Sequence, residues 1–288
     1  MSGRWLILGA TGMLGQDLAA ALRARGEDVT GLGRRDLDIT DEAAVGAAVR
    51  VHRADVVVNC AAWTAVDDAE SHESAAFAVN GRGAAHVAAA CAASGGRLVH
   101  LSTDYVFSGD TREPYAEDAA VGPRTAYGRT KLAGEQAVLR LLPLTGYVVR
   151  TAWLYGAHGA NFVRTMMRLE RELPAVDVVT DQCGQPTWTA DVARQVIELA
   201  GSRSPAGIYH ATSSGEATWF ELAREVFRLL GADPARVRAT TSGAFPRPAA
   251  RPAYSVLGHD AWASAGLAPI DDWQVSLQRA LPDLAGVG

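Results

Sequence analysis

Residues 5–15, WLILGATGMLG, decide the fold, because four apolar residues lead directly into a loop with three glycines. A strand followed by a glycine turn that opens a helix is the setting of a dinucleotide-binding loop, here with the spacing GxxGxxG. Glycines let the backbone approach a ligand closely, and the free N–H groups of the helix N-terminus favour a pyrophosphate. A plain strand-to-helix turn is the alternative. The expected cofactor contacts are Gly9, Thr11, Gly12, Met13, Leu14 and Gly15.

Short apolar runs continue to alternate with helical patterns through the first half of the chain. Strands are predicted at residues 28–32, 55–58, 97–101 and 147–150. This alternation predicts an α/β protein with a Rossmann-type, doubly wound parallel sheet.

The pattern of predicted strands and helices changes beyond Gly156. Short strands are predicted at residues 176–179 and 208–210, with helices near residues 189–200 and 219–230; Thr218 and Glu221 form a capping box for the latter. We interpret residues 1–156 as an NAD(P)-binding Rossmann domain. Residues 157–288 are interpreted mainly as a smaller C-terminal α/β substrate lobe, which can be interleaved with the first domain.

Composition excludes several classes of protein. The net charge is -5 and no run of Lys or Arg occurs, which argues against a nucleic-acid or anionic membrane partner. No signal-peptide pattern and no run of about 18 apolar residues is present, so a cytoplasmic location is expected. The three cysteines lack metal-ligand spacing, and no metal site is predicted. A small-molecule substrate is the expectation.

Lys131 is the only lysine in 288 residues, and it lies four residues after Tyr127. On a helix these positions share one face, so the ammonium can reach the ribose of a bound nicotinamide cofactor. Its charge should favour the phenolate and lower the pKa of Tyr127 from about 10, which makes the tyrosine a usable proton donor. Chance placement of one lysine in an arginine-rich chain is the alternative.

The residues after the second and third predicted strands indicate which cofactor binds. Arg34 lies in Gly33-Arg34-Arg35, where an NAD enzyme usually places an acid, so a 2′-phosphate and NADPH are favoured, with NADH still open. Solvated surface arginines are the alternative. Further expected cofactor contacts are Asp38 and Ile39 at the adenine, and Ala61, Ala62 and Trp63 after the third strand.

Polar residues end the fourth predicted strand. Thr103 can hydrogen-bond a substrate carbonyl and polarise it together with Tyr127, while Asp104 adds a carboxylate at the sheet edge. Helix capping by these residues is the alternative. His100 and His210 lie within predicted strands and are interpreted as hydrogen-bonded core histidines rather than acids.

Five longer stretches resemble one family. Together with the glycine loop, they are similar to the dTDP-4-dehydrorhamnose reductase family of the extended short-chain dehydrogenase/reductase superfamily. The stretches are residues 59–67 (NCAAWTAVD), 102–107 (STDYVF), 127–135 (YGRTKLAGE), 150–156 (RTAWLYG) and 181–187 (DQCGQPT). The chain departs from the common family pattern at Trp63 and at Ser108-Gly109, within the region of the sugar pocket.

The resemblance implies an activity and roles for individual residues. A hydride would reach C4 of a dTDP-linked 4-keto-6-deoxyhexose while Tyr127 protonates the oxygen, converting dTDP-4-dehydro-β-L-rhamnose to dTDP-L-rhamnose. Tyr127, Lys131 and Thr103 would be catalytic. The implied substrate contacts are Thr103, Asp104 and Trp153 at the sugar, and Asn161 and Arg251 at the diphosphate. Some relatives use magnesium at a dimer contact, but no acidic cluster here predicts one, and the choice between monomer and homodimer stays open.

Three rival functions remain open, because fold does not fix function. One is a related 4-ketoreductase, such as a dTDP-dihydrostreptose synthase in antibiotic biosynthesis. Another is a nonenzymatic NADP-binding regulatory subunit, against which the Thr103, Tyr127 and Lys131 set argues. The third is an epimerase or dehydratase, which would recycle its nicotinamide rather than consume NADPH.

Overall fold

The structure, a computed structural model, describes residues 3–286. The strands are β1 (Arg4–Leu8), β2 (Asp28–Leu32), β3 (Val56–Asn59), β4 (Arg97–Thr103), β5 (Gly146–Thr151), β6 (Leu154–Tyr155), β7 (Val176–Val179), β8 (Cys183–Gly184), β9 (Thr187–Trp188), β10 (Gly207–His210), β11 (Ser213–Ser214), β12 (Ala217–Thr218), β13 (Val237–Thr240) and β14 (Ile270–Asp272). The α-helices are α1 (Met13–Ala24), α2 (Glu42–His52), α3 (Val66–Ala69), α4 (Glu73–Phe77), α5 (Ala84–Ser94), α6 (Ala126–Leu141), α7 (Phe162–Glu172), α8 (Thr189–Gly201), α9 (Trp219–Leu229), α10 (Asp260–Ser264) and α11 (Trp273–Ala285). A π-helical segment, Ala78–Gly83, joins α4 to α5.

The main sheet has six strands in the order β10-β5-β4-β3-β1-β2, and every neighbouring pair is parallel. The doubly wound α/β prediction is therefore confirmed. The chain leaves β1 for β2 on one side and returns to β3 on the other, so the strand order reverses between β1 and β3. In open parallel sheets, ligands bind outside the carboxyl ends of the strands at such a point.

The sheet is covered on both faces because apolar residues occupy consecutive positions in its strands. Trp5 and Ile7 of β1 face the layer that contains α1 and α8, whereas Leu6 and Leu8 face the layer that contains α2 and α5. Burial on both faces explains why these strands are continuously apolar rather than alternating with polar residues. His100 and His210 are buried and bond Asn59 (3.2 Å) and the Gly258 carbonyl (3.0 Å), so their assignment to the core is confirmed.

A second core lies among α7, α9, α11 and the parallel pair β7/β13. The predicted capping box is present at the start of α9, where Thr218 and Glu221 bond each other's backbone N–H groups. The chain order is interleaved, because α8 packs on α1 and β10 extends the main sheet beside β5. The strand predicted at residues 208–210 is present as β10 and lies in the main sheet, an interleaving that the domain interpretation allowed.

One face of α6 carries a buried ion pair that fixes the helix to the sheet. Glu135 accepts two hydrogen bonds from Arg150 of β5, at 2.9 and 2.8 Å, and the two side chains are 1% and 2% exposed. The Arg150 guanidinium also lies 4.9 Å from the centre of the Phe107 ring and donates to the Glu117 carbonyl.

Within residues 3–286, no helix is long and apolar enough to cross a membrane.

Glu135→Gln should cost about 3–5 kcal/mol of unfolding free energy, because it leaves the Arg150 charge buried without its counterion. The matched control is Glu73→Gln, which removes an exposed pair that Glu73 makes with Arg129, also on α6. That change should cost about 1 kcal/mol or less. Urea denaturation at pH 7 measures both, and equal losses would contradict a structural role for the buried pair.

Candidate active site

A cleft of about 1030 Å³ opens at the carboxyl edge of the sheet, above the point where the strand order reverses. It collects residues from the glycine loop, the ends of β3, β4 and β5, helix α6 and the second lobe. The predicted site residues that line it are Gly9, Thr11, Gly12, Met13, Leu14, Gly15, Arg34, Asp38, Ile39, Ala61, Ala62, Trp63, Thr103, Asp104, Tyr127, Lys131, Trp153 and Arg251. Residues that are scattered over 243 positions thus meet in one cavity.

Asn161 is the predicted site residue that does not line this cleft. Its side-chain oxygen accepts a hydrogen bond from the Arg164 backbone N–H (3.0 Å), and its amide nitrogen donates to the Gly156 carbonyl (2.8 Å). Both polar groups are therefore used to cap α7. Asn161 thus caps α7, and the role expected for it at the diphosphate stays a prediction.

Two glycines of the loop lie so close to neighbouring backbone that a side chain would not fit there. Gly9 has φ +77°, and a Cβ atom there would lie 2.6 Å from the Ala61 backbone nitrogen. A Cβ on Gly15 would lie 2.5 Å from the Gly9 carbonyl oxygen. Gly12 begins α1 without a side-chain cap, and the first turn of α1 carries no acidic residue. The helix thus presents free N–H donors of positive potential to the cleft, which fits a pyrophosphate.

Arg34 and Asp38 are the charged side chains that line the cleft in the region where the 2′-phosphate and adenine of a cofactor are expected. Arg34 is exposed and lines the cleft, whereas Arg35 does not. Asp38 accepts hydrogen bonds from the backbone N–H (2.9 Å) and hydroxyl (2.8 Å) of Thr40, and these bonds lower the pKa of Asp38. The Arg34 guanidinium can hold a phosphate by two parallel hydrogen bonds, which fits a cofactor with a 2′-phosphate.

Helix α6 places the tyrosine and the lysine at the edge of β4. Thr125 caps this helix by accepting from the Gly128 N–H (3.0 Å), so Tyr127 falls in the first turn and Lys131 in the second. The Lys131 ammonium donates to the Leu101 carbonyl at 2.6 Å. Burial lowers the pKa of Lys131 to about 8, and the charge of Glu135 opposes that shift.

The pKa of Tyr127 moves opposite to the expectation from the Tyr/Lys spacing. Burial raises it to about 12, a hydrogen bond with Thr103 opposes the shift, and the charge of Asp104 adds to it. The protein's own groups therefore keep the phenol protonated near neutral pH. The net shift is opposite to the lowering expected from Lys131, because desolvation of the phenolate is its largest cause.

Thr103 and Asp104 form one hydrogen-bonded unit beside Tyr127. The Thr103 hydroxyl donates to Asp104 (2.9 Å) and accepts from the Tyr105 backbone N–H (3.2 Å). Burial raises the pKa of Asp104 to about 6, while interactions with the hydroxyls of Ser255 and Thr103 oppose the shift. The threonine thus caps a short helical turn, and carbonyl polarisation by its hydroxyl stays a prediction.

An aromatic wall closes the other side of the cleft. The rings of Trp153 and Trp219 stack in parallel with centroids 3.5 Å apart, and Trp219 donates to Gln182 at 3.1 Å. Trp153 has the left-handed φ of 46°, which is uncommon for a residue with a side chain. A Cβ on Gly184 would lie 2.6 Å from the Trp153 ring. The Trp153 ring therefore packs closely against both Trp219 and Gly184.

Sequence reasoning missed three residues that shape the site. Gln182 and Trp219 line the cleft, and Gln182 belongs to the conspicuous stretch DQCGQPT that could have pointed to it. Asn80 of the π-helical segment is buried and holds Trp63 by its backbone, accepting from the N–H (2.9 Å) and donating to the carbonyl (3.1 Å). No periodicity in the sequence marks Asn80.

Among residues 3–286, no group of three or more His, Cys, Asp or Glu side chains is arranged to hold a metal ion.

Comparison with known proteins places the chain in a family. Residues 3–285 match the family described as RmlD substrate binding domain. The chain belongs to this family. It is 59% identical over 287 residues to a dTDP-4-dehydrorhamnose reductase of Streptomyces griseus, with 98% of this chain and 94% of the relative covered. It is 57% identical to a dTDP-4-keto-6-deoxy-D-glucose reductase of Streptomyces niveus, with 98% of each covered.

A solved structure of the same fold carries a cofactor. The dTDP-4-dehydrorhamnose reductase of Bacillus anthracis str. Ames, in complex with NADP, superposes with a TM-score of 0.95 at 37% identity. The superposition covers 98% of this chain and 100% of the other. The family resemblance drawn from the five sequence stretches is confirmed.

Asp104→Asn should stabilise the protein more at pH 8 than at pH 4. The pKa of Asp104 is about 6 in the folded protein against the ordinary value of 3.8 expected in the unfolded chain, so the carboxyl destabilises the fold as pH rises through this window. The neutral amide removes that loss, and its advantage should be about 2 kcal/mol larger at pH 8. Urea denaturation at both pH values measures the difference. The exposed Asp28→Asn is the control, and an advantage that does not depend on pH would contradict the prediction.

Proposed function

We propose that the chain is an NADPH-dependent oxidoreductase that reduces the C4 keto group of dTDP-4-dehydro-β-L-rhamnose to give dTDP-L-rhamnose. One observation carries the proposal: a buried Tyr127 with a raised pKa, the glycine loop and the Trp153–Trp219 pair all line one cleft, which supports a site for a dinucleotide and a sugar. The names of the relatives in the same family support this choice of substrate.

The residues of the cofactor region fit NADPH. Gly9 and Gly15 leave no space for side chains beside the backbone donors of α1, Arg34 supplies a cation for a 2′-phosphate, and Lys131 supplies an ammonium donor for ribose hydroxyls. When bound, the cofactor supplies the hydride. The nicotinamide complex of the Bacillus anthracis relative supports the same choice.

Tyr127 performs the acid step in this proposal. Its pKa of about 12 keeps the phenol protonated at neutral pH, so it can donate that proton to O4 of the sugar as C4 is reduced. Lys131 retains most of its charge at neutral pH because its pKa is about 8, and this cation favours the negative charge that develops on oxygen. The burial of both groups excludes water, which strengthens these interactions.

The second lobe and its connecting segments supply the substrate contacts. Tryptophan rings pack well against the C–H surface of a sugar ring, and both Trp153 and Trp219 line the cleft. Arg251 also lines the cleft and offers a planar fork to a diphosphate. Asp104 is buried beside Thr103 within reach of polar groups on the sugar.

A second candidate substrate is the 4-keto-6-deoxy-D-glucose nucleotide itself. The Streptomyces niveus relative named for that sugar is nearly as similar as the relative named for rhamnose, at 57% against 59% identity. Both reactions reduce a C4 ketone on a dTDP-linked sugar and need the same Tyr127 and Lys131. The two candidates differ in the configuration of the sugar, which the wall around Trp153 must distinguish.

The purified protein should be mixed with NADPH and each of the two dTDP-4-keto sugars in separate reactions. The proposal predicts stoichiometric NADPH oxidation with the rhamnose precursor and dTDP-L-rhamnose as the product identified by NMR. Preferential reduction of the D-glucose derivative would favour the second candidate. Bound NADPH that reduces neither sugar would overturn both.

Tyr127→Phe should lower kcat by about 10²–10⁴-fold, because it removes the acid while keeping the ring. NADPH affinity, measured by fluorescence titration, should change little. Tyr147→Phe is the matched control, since the Tyr147 hydroxyl donates to the Ser204 carbonyl on the far side of the fold, and it should retain activity. Activity of Tyr127→Phe close to that of the unmodified enzyme would remove the acid role.

Arg34→Ala should weaken NADPH binding by about 10–100-fold, because a charge-assisted hydrogen-bonded contact contributes about 1.5–3 kcal/mol. NADH has no 2′-phosphate, so its affinity should stay within about twofold. The neighbouring Arg35→Ala is the control and should affect neither cofactor, since Arg35 does not line the cleft. Equal weakening of both cofactors by Arg34→Ala would remove this residue from the 2′-phosphate site.

A further inference from the structure

Asp67, at the start of α3, receives three contacts from residues that lie 180 to 184 positions later in the sequence. The Arg251 guanidinium donates to its Oδ2 atom at 2.8 Å, and the Ala249 backbone N–H donates to its Oδ1 atom at 3.2 Å. The Arg247 guanidinium lies 3.9 Å from Oδ2. One carboxylate thus holds both the backbone and the side chain of this segment.

The segment, residues 242–252, is fixed to the body of the protein at both ends. Ser242 bonds Asp181 through its hydroxyl and backbone N–H and accepts from Gln182, the residue that also holds Trp219. At the other end, Pro252 packs so closely on Gly109 that a Cβ there would lie 2.6 Å from the proline ring. Residues 242–252 are therefore anchored at both ends, and Arg251 and Pro252 of this segment line the cleft.

Arg251 lies close to the reacting end of the cleft. Its charge acts on the pKa of Tyr105, and the Tyr105 ring meets the Tyr127 ring edge-to-face with centroids 5.6 Å apart. The Arg251 side chain is 23% exposed, and Arg251 lines the cleft. A group bound to Arg251 would consequently lie near Tyr105, whose ring packs against Tyr127.

Charge and donor capacity leave this cluster able to bind an anion. Arg251 and Arg247 together carry two positive charges against the single charge of Asp67, so the cluster is net positive. A guanidinium has five N–H donors, and the contacts to Asp67 and to the Ala249 carbonyl (3.0 Å) use one on each terminal nitrogen. The remaining donors, in a fixed plane, match two phosphate oxygens.

We propose that Asp67 is a positioning residue that holds Arg251 in the cleft, so that the guanidinium binds the diphosphate of the nucleotide-sugar substrate. The proposal rests on the proposed function for the class of substrate. Without the carboxylate, the long arginine side chain would lose its fixed orientation, and each binding event would have to order it again. Burial raises the pKa of Asp67, but the contacts from Arg251, the Ala249 N–H and Arg247 together lower it below its usual value.

The test compares Asp67→Asn with its neighbour Asp68→Asn in the full-length protein. Asp68 is also on α3, but it pairs with the exposed His72 and does not line the cleft. We expect Asp67→Asn to raise KM for the dTDP-4-keto sugar and the Kd of dTDP by tenfold or more. The kcat value should stay within about threefold and NADPH affinity should be unchanged. Asp68→Asn should change none of these, and Asp67→Glu should recover part of the loss.

Thymidine, which lacks the diphosphate, separates positioning from general damage to the cleft. Asp67→Asn should weaken dTDP much more than thymidine in calorimetric titrations, and Arg251→Lys should show the same selective loss because it keeps the charge without the fork. Equal weakening of dTDP and thymidine, or unchanged dTDP binding, would overturn the inference. Failure of the unmodified protein to reduce the sugar would instead overturn the proposed function, while dTDP binding would still decide the role of Asp67.

Discussion

The site depends on how one face of α6 is pressed against the parallel sheet. Tyr127, Lys131 and Glu135 follow one another at intervals of four residues on this face, and the buried Glu135–Arg150 pair fixes the last of them to β5. Because removing one partner would leave a charge in a region without water, the pair holds the helix in one position. The phenol and the ammonium are thereby set at the edge of β4, where the cleft opens.

The same burial governs the chemistry of the cleft. It raises the pKa values of Tyr127 and Asp104 and lowers that of Lys131, so each group is shifted toward its uncharged form. A tyrosine that stays protonated is suited to donate a proton to a nascent alkoxide. A lysine that still holds most of its charge in such surroundings acts strongly on nearby oxygen atoms, because little solvent screens it.

The sequence predicts those features that depend on residues close together in the chain. The glycine loop, the alternation that builds the sheet, the capping box at Thr218 and the Tyr127/Lys131 face are all local patterns. Features that arise only when distant segments meet could not be predicted in this way. Asn161 is used by its own helix, β10 crosses back to the main sheet, and Trp219 stacks on Trp153. The contact of Asp67 with Arg251 joins residues 184 positions apart, and no local sequence pattern predicts it.

The central claim is that this cleft directs a hydride to C4 of a dTDP-linked keto sugar while Tyr127 supplies the proton. The most direct measurement uses NADPH deuterated at the transferring position and locates the label in the isolated sugar nucleotide by NMR and mass spectrometry. The account predicts one deuterium at C4 of the product for each NADPH oxidised. Recovery of unlabelled substrate with unoxidised NADPH, or a label at any carbon other than C4, would contradict it.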